Sequence, residues 1–165
     1  MSPAPSEKTV CFSGHRNIPA SEYPRMEALL VQAIDAQLTK DFSRFICGGA
    51  LGFDTLAAQA VLAARAYNPQ VKLVLALPYK GQYKSWLPAD QTLYLEICAR
   101  ADEVHYIAEA YTPACMLARN RFMVDRSDLL LAYCSKPSGG TAYTVQYAIK
   151  SNVPWINLRA ASRTY

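Results

Sequence analysis

The sequence lacks the features that mark several large classes of protein. Its 165 residues contain no apolar run close to the ~18 residues that a membrane-spanning helix needs. Charged residues make up only 18% and hydrophobic residues 52%, a composition that excludes disorder over most of the chain. The N-terminus has neither the basic nor the apolar segment of a secretory signal, so we expect no signal peptide and a cytoplasmic location.

The five cysteines are scattered and never form a CxxC pair: Cys11, Cys47, Cys98, Cys115 and Cys134. That spacing is typical neither of a zinc site nor of a disulfide framework, and we predict no metal. With 17 basic and 13 acidic side chains the net charge is +4. This bias is too mild to indicate nucleic acid by itself, but it permits an anionic ligand.

Short apolar runs alternate with helical patterns along the chain. The runs are continuous rather than alternating, as in strands covered on both faces, and they lie at residues 9–13, 44–47, 71–77, 103–107, 129–134 and 153–158. Helical patterns separate them, including a stripe from Met26 to Leu38 and the segments 56–64, 88–100, 114–126 and 141–150. We predict a single three-layer α/β domain with a mainly parallel sheet over residues 8–165, preceded by a disordered tail over residues 1–7.

Five of the seven glycines form two clusters, Gly48, Gly49 and Gly52 in the first and Gly139 and Gly140 in the second. Each cluster follows a predicted strand and opens a predicted helix, which in a parallel sheet is the carboxyl edge where ligands bind. Glycine lets a ligand approach the backbone closely, and a helix N-terminus favours an anion such as phosphate. The alternative interpretation is a pair of tight strand-to-helix turns without a ligand.

Neither cluster matches a standard nucleotide-binding signature. The stretch from Gly48 to Asp54 is not GxGxxG, and no Gly-Lys-Ser/Thr follows it, as a P-loop would require. Hydride transfer and nucleoside-triphosphate hydrolysis therefore lose their main support in the sequence. Asp54, within the first turn of its helix, can accept a ribose hydroxyl or cap neighbouring amides, and both interpretations stay open.

Other polar and aromatic residues near the strand ends allow two interpretations each. Arg16 can clamp a phosphate or stay solvated, and His15 can polarise a substrate or satisfy a loop carbonyl. The rings of Tyr79 and Trp86, beside Pro78, can stack on a base or form a lid packed over the core. The polar segment 119–128 either faces a cleft or pairs internally, for example Arg121 with Asp125 at i, i+4.

These motifs together resemble the YpsA-like branch of the SLOG superfamily. The motifs are Gly14-His15-Arg16, Gly48 to Asp54, Leu77-Pro78-Tyr79 with Trp86, Arg119-Asn120, Met123 to Asp128 and Gly139-Gly140-Thr141. They follow in the family's order over residues 9–158, nearly the whole chain. The resemblance implies a Rossmann-like fold, a bacterial or phage origin, and a pocket for a nucleotide or nucleotide derivative, with ADP-ribose or an NAD-like molecule as the leading ligand.

The resemblance and the residues lead to one hypothesis for the site. Phosphates would lie on the amides of both glycine turns, held by Arg16 and Arg119, while Asp54 or Asn120 would take hydroxyls. The base or second sugar would lie toward Tyr79 and Trp86. The full set of expected ligand-binding residues is Gly14, His15, Arg16, Gly48, Gly49, Ala50, Gly52, Asp54, Pro78, Tyr79, Trp86, Arg119, Asn120, Gly139, Gly140 and Thr141.

Two better-understood groups of relatives define the alternatives. The LOG phosphoribohydrolases carry a catalytic glutamate after their glycine motif, whereas no carboxylate follows Gly139-Gly140 between Thr141 and Gln146. LOG-like N-glycosidic cleavage therefore lacks its acid unless Asp54, Asp125 or Asp128 substitutes for it. The DNA-processing protein DprA, which binds single-stranded DNA, is longer and offers the nucleic-acid alternative.

We expect a nucleotide-binding sensor or regulatory protein, with enzymatic activity left open. A nucleotide-processing hydrolase, DprA-like single-stranded nucleic-acid binding and a protein-interaction module are the alternatives. No membrane partner is expected, and the sequence leaves open whether the chain forms a homo-oligomer.

Overall fold

A computed structural model describes residues 7–161, which form one six-stranded parallel sheet with helices on both faces. The strands are β1 (Lys8–Gly14), β2 (Phe42–Cys47), β3 (Lys72–Tyr79), β4 (Glu103–Ala108), β5 (Leu129–Tyr133) and β6 (Trp155–Asn157). Their order across the sheet is β4-β3-β2-β1-β5-β6, and every neighbouring pair is parallel. The predicted Rossmann-like α/β fold is confirmed.

Within residues 7–161, six α-helices connect or follow the strands: α1 (Tyr23–Leu38), α2 (Phe53–Tyr67), α3 (Pro88–Arg100), α4 (Cys115–Asp125), α5 (Gly140–Lys150) and α6 (Leu158–Ala161). Both α1 and α3 carry a proline in their first turn, where its missing N–H leaves no helical hydrogen bond unmade. No helix between residues 7 and 161 is at once long enough and apolar enough to cross a membrane.

Most element boundaries lie within two residues of the predicted ones, and α2 is the clearest exception, because the predicted helical segment 56–64 lies inside a helix of Phe53–Tyr67. The end strand β6 differs from its prediction by two residues at its start and one at its end. The sequence predicts a strand over residues 153–158, whereas β6 is confined to Trp155–Asn157. The strand is shorter because the Val153 amide donates to Ala148 in α5, and Leu158 already begins α6. Of the predicted tail, residues 1–6 lie outside the described residues, and Glu7 forms an ion pair with Lys72 at 2.7 Å.

Two apolar cores fill the space between the sheet and its helices. Residues of α1, α2 and α3 pack on one face with Phe12, and residues of α4 and α5 pack on the other face with Cys11. Successive residues of a strand point to opposite faces, so continuous apolar strands supply both cores. The predicted three-layer arrangement follows from this division.

The strand order reverses once, between β1 and β5. From β1 the chain proceeds through β2 and β3 to β4 on one side, then crosses back to place β5 on the other side of β1. A crevice outside the carboxyl ends of β1 and β5 is therefore the topological switch point, where ligands of open α/β sheets bind.

An ion pair across β3 provides a test of this strand arrangement. Arg44 on β2 donates two hydrogen bonds to Glu103 on β4, one of them 3.1 Å from Nη2 to Oε1. The pair lowers the pKa of Glu103 from 4.5 to about 2, so it stabilises the fold above about pH 4.5 and is lost as the pH falls toward 2.

We predict that Glu103→Gln lowers the free energy of unfolding at neutral pH by about 0.5–1 kcal/mol. Urea denaturation of the two proteins measures this difference in the free energy of unfolding, which should vanish as the pH approaches about 2. A difference independent of pH would contradict the ion pair.

Candidate functional site

A cleft of about 370 Å³ opens at the switch point, and we call it the switch-point cleft. The loop after β1, the turn after β2, α4, and the loop that leads into α5 form its walls. Ten of the sixteen expected ligand-binding residues line it: Gly14, His15, Arg16, Ala50, Asp54, Arg119, Asn120, Gly139, Gly140 and Thr141. The tertiary structure thus brings together residues that are up to 127 positions apart, from Gly14 to Thr141.

The second glycine cluster faces open space at this cleft. A Cβ built on Gly139 or Gly140 would meet no heavy atom within 4 Å. Gly139 has a φ of +100°, which favours glycine, and α5 begins at Gly140 without a side-chain cap. The first-turn amides of α5 lack intrahelical acceptors and the helix dipole is positive there, so this end of α5 offers an anion a place beside the backbone.

The first glycine cluster is explained by packing instead. A Cβ on Gly48 would lie 2.8 Å from Arg119 Nη1 and 2.9 Å from Asp54 Oδ2, and a Cβ on Gly49 would overlap the Leu77 side chain. Of this turn only Ala50 lines the switch-point cleft. The interpretation as a tight strand-to-helix turn accounts for Gly48 and Gly49, and open space beside a glycine pair is found at the start of α5.

Arg119 on α4 holds the turn after β2 in place. Its side chain is only 6% exposed; Nη1 donates to the Gly48 carbonyl and Nε donates to Asn120 Oδ1 at 2.8 Å. Asp54, 7% exposed, accepts a hydrogen bond from the Ala50 amide at 3.2 Å. Burial raises the pKa of Asp54, while the nearby Arg119 charge and the Ala50 amide oppose that rise. The hydrogen bond from the Ala50 amide agrees with the interpretation of Asp54 as a residue that caps neighbouring amides.

Positive charge predominates among the residues that line the switch-point cleft. Arg16 and Lys136 are exposed and form no ion pair within residues 7–161, and Arg119 adds a third cation. Asp54 is the one carboxylate of this lining. Lys136 was not among the expected site residues, although it precedes the second glycine pair in the stretch Lys136-Pro137-Ser138-Gly139-Gly140 and could have been found there.

His15 fixes the loop that leads to the second glycine pair. Its Nε2 accepts a hydrogen bond from the Ser135 amide at 3.0 Å and lies 2.8 Å from the Ser135 hydroxyl. Because Nε2 accepts an N–H, it must be unprotonated. Burial, then Lys136 and Arg159, lower the pKa of His15. The interpretation of His15 as a loop-satisfying residue fits this geometry, with an amide rather than a carbonyl as the partner.

The aromatic residues expected to hold a base lie elsewhere. Pro78 and Tyr79 end β3, which β2 separates from β1, and the ring of Tyr79 packs edge-on against Tyr111 at 5.6 Å. Trp86 packs edge-on against Tyr94 at 5.3 Å beside the first core. None of the three lines the switch-point cleft. For Trp86, the interpretation as a lid over the core agrees with its position.

Two of the three candidate acids are at the opposite edge of the sheet. Asp128 accepts from the Thr9 amide at 2.9 Å, at the amino ends of β1 and β5, so it cannot act at a cleft beyond their carboxyl ends. Asp125 ends α4 and accepts from the Tyr147 hydroxyl at 2.7 Å. Of the two interpretations of segment 119–128, the internal pair Arg121–Asp125 given as an example is not among the ion pairs of residues 7–161, and Arg121 donates to the Tyr143 hydroxyl. Neither Asp125 nor Asp128 lines the switch-point cleft, whereas Asp54 does.

No group of three or more His, Cys, Asp or Glu within residues 7–161 is arranged to hold a metal ion. All five cysteines are unbridged thiols, and three of them, Cys11, Cys47 and Cys115, are buried.

Sequence comparison identifies the family. The YpsA family model, described as the YspA SLOG family, matches residues 15–154. The chain belongs to this SLOG family. The uncharacterized SPbeta prophage-derived protein YoqJ of Bacillus subtilis is 30% identical over 140 residues, which cover 77% of this chain and 82% of YoqJ.

Solved structures of DNA processing protein A share the SLOG fold of this chain. The Helicobacter pylori protein, described as having a single-stranded DNA binding mode, superposes with a TM-score of 0.66 at 19% identity. The Streptococcus pneumoniae protein superposes with a TM-score of 0.64 at 18% identity. The likeness covers 90% of this chain but only 63% and 49% of those two chains, and at such identities it shows the fold alone.

We predict that Arg119→Met lowers the free energy of unfolding by about 2–3 kcal/mol, because it leaves the buried Asn120 side-chain oxygen without its donor and removes the nearby charge that opposes the effect of burial on Asp54. The Gly48 carbonyl also loses its donor. Arg121→Met, two residues along the same helix, is the matched control and should cost no more than about 1 kcal/mol. Urea denaturation of the two variants measures the difference, and equal losses would contradict the assigned role of Arg119.

We also predict that acidification weakens the fold through His15. Because the pKa of His15 is lowered in the folded protein, its contribution is present above about pH 6.5, the ordinary value, and is lost as the pH falls through the folded pKa. His15→Gln, with an acceptor that does not titrate, should reduce the slope of unfolding free energy between about pH 7 and 5. Ser135→Ala keeps the backbone donor and should keep the slope. If the free energy of unfolding changed with pH equally in the wild type and in His15→Gln, the prediction would be refuted.

Proposed function

We propose that this SLOG protein binds a nucleotide or nucleotide derivative, of the ADP-ribose or NAD-like type, in the switch-point cleft and serves as a sensor or regulator. The observation that carries the proposal is the start of α5, where Gly139 and Gly140 leave open space beside an uncapped helix N-terminus. A phosphate there would accept hydrogen bonds from backbone amides.

The charges around α5 support an anion at this position. Arg16 and Lys136 reach the same cleft without an acidic partner among the described residues, so binding a phosphate would not require breaking an ion pair. Arginine matches phosphate with two parallel N–H donors, whereas lysine supplies a point charge. Asn120, buried on α4, adds an amide to the same wall.

The arrangement favours binding over glycosidic hydrolysis. Hydrolysis through an oxocarbenium-like transition state requires a carboxylate close to the sugar. The start of α5 carries Thr141 and Thr144 but no acid, and Asp54 is already engaged with the Ala50 amide beside Arg119. A tightly bound nucleotide that is not turned over is the expected behaviour of such a site.

Gly140 is the position at which binding can be separated from folding. It is the first residue of α5, and a side chain there meets open space. We predict that Gly140→Asp folds normally, because an acid suits a helix N-terminus, but repels a phosphate. The same substitution in the first glycine cluster, Gly49→Asp, could not separate binding from folding, because its side chain would overlap Leu77.

The measurement is a thermal-shift and calorimetric titration with ADP-ribose, NAD and AMP. In the wild type, a ligand at about one hundred times its Kd adds ~2.7 kcal/mol to the free energy of unfolding. Gly140→Asp should lose this stabilisation, while the control Gly140→Ala retains most of it. Unchanged binding by Gly140→Asp, or no nucleotide binding by the wild type, would contradict the proposal.

Single-stranded DNA binding, described for the Helicobacter pylori relative of this fold, is the competing function. The same cations would then contact backbone phosphates, and the affinity for an oligonucleotide would fall steeply with salt as counterions are released. Oligonucleotide binding with that salt dependence, in the absence of mononucleotide or dinucleotide binding, would replace the proposed function.

A further inference from the structure

A larger cleft of about 600 Å³ adjoins the first one across Arg16, and we call it the α1–α2 cleft. It is bounded by the loop after β1 and by α1, α2 and α3, on the face of the sheet opposite α4 and α5. Arg16 lines both clefts, so the two spaces adjoin at this residue. Both volumes fall within or near the ~300–1,000 Å³ typical of small-molecule sites.

The α1–α2 cleft has the opposite electrostatic character. Glu27 on α1 and Asp90 on α3 both line it, and neither forms an ion pair within the described part of the chain. With two carboxylates against the single cation Arg16, a second phosphate is disfavoured there. Ionised carboxylates only accept hydrogen bonds, so the matching ligand group is a donor such as a sugar hydroxyl.

The remaining lining suits a sugar or a nucleoside. Thr55 and Gln59, on the exposed side of α2, add a hydroxyl and an amide, while Ile18 and Leu93 supply apolar surface. A ring with hydroxyls on one edge and an apolar face can use both kinds of surface at once. Pyrophosphate by itself can use neither.

We propose that the ligand extends from the start of α5 past Arg16, with the hydroxyls of one of its sugars accepted by Glu27 and Asp90 in the α1–α2 cleft. This inference rests on the proposed function and specifies its ligand class: a sugar-bearing nucleotide whose phosphates lie at one cleft and whose sugar lies at the other. Ligands of doubly wound folds commonly lie across the switch point in this way. The sugar thus lies at Glu27 and Asp90, away from Tyr79 and Trp86.

The test compares ADP-ribose with inorganic pyrophosphate, which has no sugar, by isothermal titration calorimetry. Glu27→Gln/Asp90→Asn should weaken ADP-ribose binding about tenfold, because hydrogen bonds to charged acceptors are the stronger kind, and should not weaken pyrophosphate binding. Leu93→Trp, which fills the cleft, should also weaken ADP-ribose selectively. The carboxylate variants alter an exposed and a half-buried side chain, so they test the proposal even if Leu93→Trp does not fold.

Asp35→Asn/Glu96→Gln is the matched control, because it removes one acid from α1 and one from α3 outside the α1–α2 cleft. It should leave both affinities unchanged. Equal effects of Glu27→Gln/Asp90→Asn on the two ligands, or none on either, would overturn this inference. If Gly140→Asp still abolishes binding in that case, the proposed function survives. A wild type that binds neither ligand would overturn both.

Discussion

The buried guanidinium of Arg119 is the contact on which the site depends. From α4 on one face of the sheet it reaches the Gly48 carbonyl at the carboxyl end of β2, and it lies beside the Asp54 carboxylate of α2 on the other side. Buried charges are tolerated only when compensated, so this contact determines the shape of the turn after β2 and the position of α4 together. Because Ala50 and Arg119 both line the switch-point cleft, the hydrogen bond from Arg119 to Gly48 also shapes the wall of that cleft.

The two glycine clusters serve different purposes, although both follow strands at the same sheet edge. Around Gly48 and Gly49 the backbone is so closely packed that a side chain would displace Arg119 or Leu77. At Gly139 and Gly140 nothing occupies the space that a side chain would take. Glycine at the first turn therefore permits folding, and glycine at the second leaves room beside an uncapped helix.

The neighbouring clefts differ in charge although they share Arg16. Cations predominate where the strand order reverses, whereas Glu27 on α1 and Asp90 on α3 have no ion-pair partner within residues 7–161. A net charge of +4 conceals this separation, since the sum carries no information about position. Two neighbouring clefts of different charge would suit a ligand with an anionic end and a hydroxyl-rich end better than a simple polyanion.

The strands, the helices and the positions of the glycine turns could be predicted from the sequence alone, because hydrophobic pattern and turn chemistry are local properties. Continuous apolar runs predicted the parallel strands, and the helical segment 88–100 coincides with α3. Because all parallel strands end at one edge, the sequence also predicted that both glycine turns would share it. The motifs that follow β1, β2 and β5 are short contiguous stretches, so their resemblance to the family could be recognised in the sequence.

Only the tertiary structure decided which side chains share a cleft, because strand order and side-chain direction depend on distant neighbours. Asp128 looked like a candidate acid, but its carboxylate accepts a hydrogen bond from the Thr9 amide at the amino edge of the sheet. Trp86 packs edge-on against Tyr94 and does not line the switch-point cleft. Glu27 and Asp90 carry no local signal, since they converge only when α1 and α3 pack on the same face of the sheet.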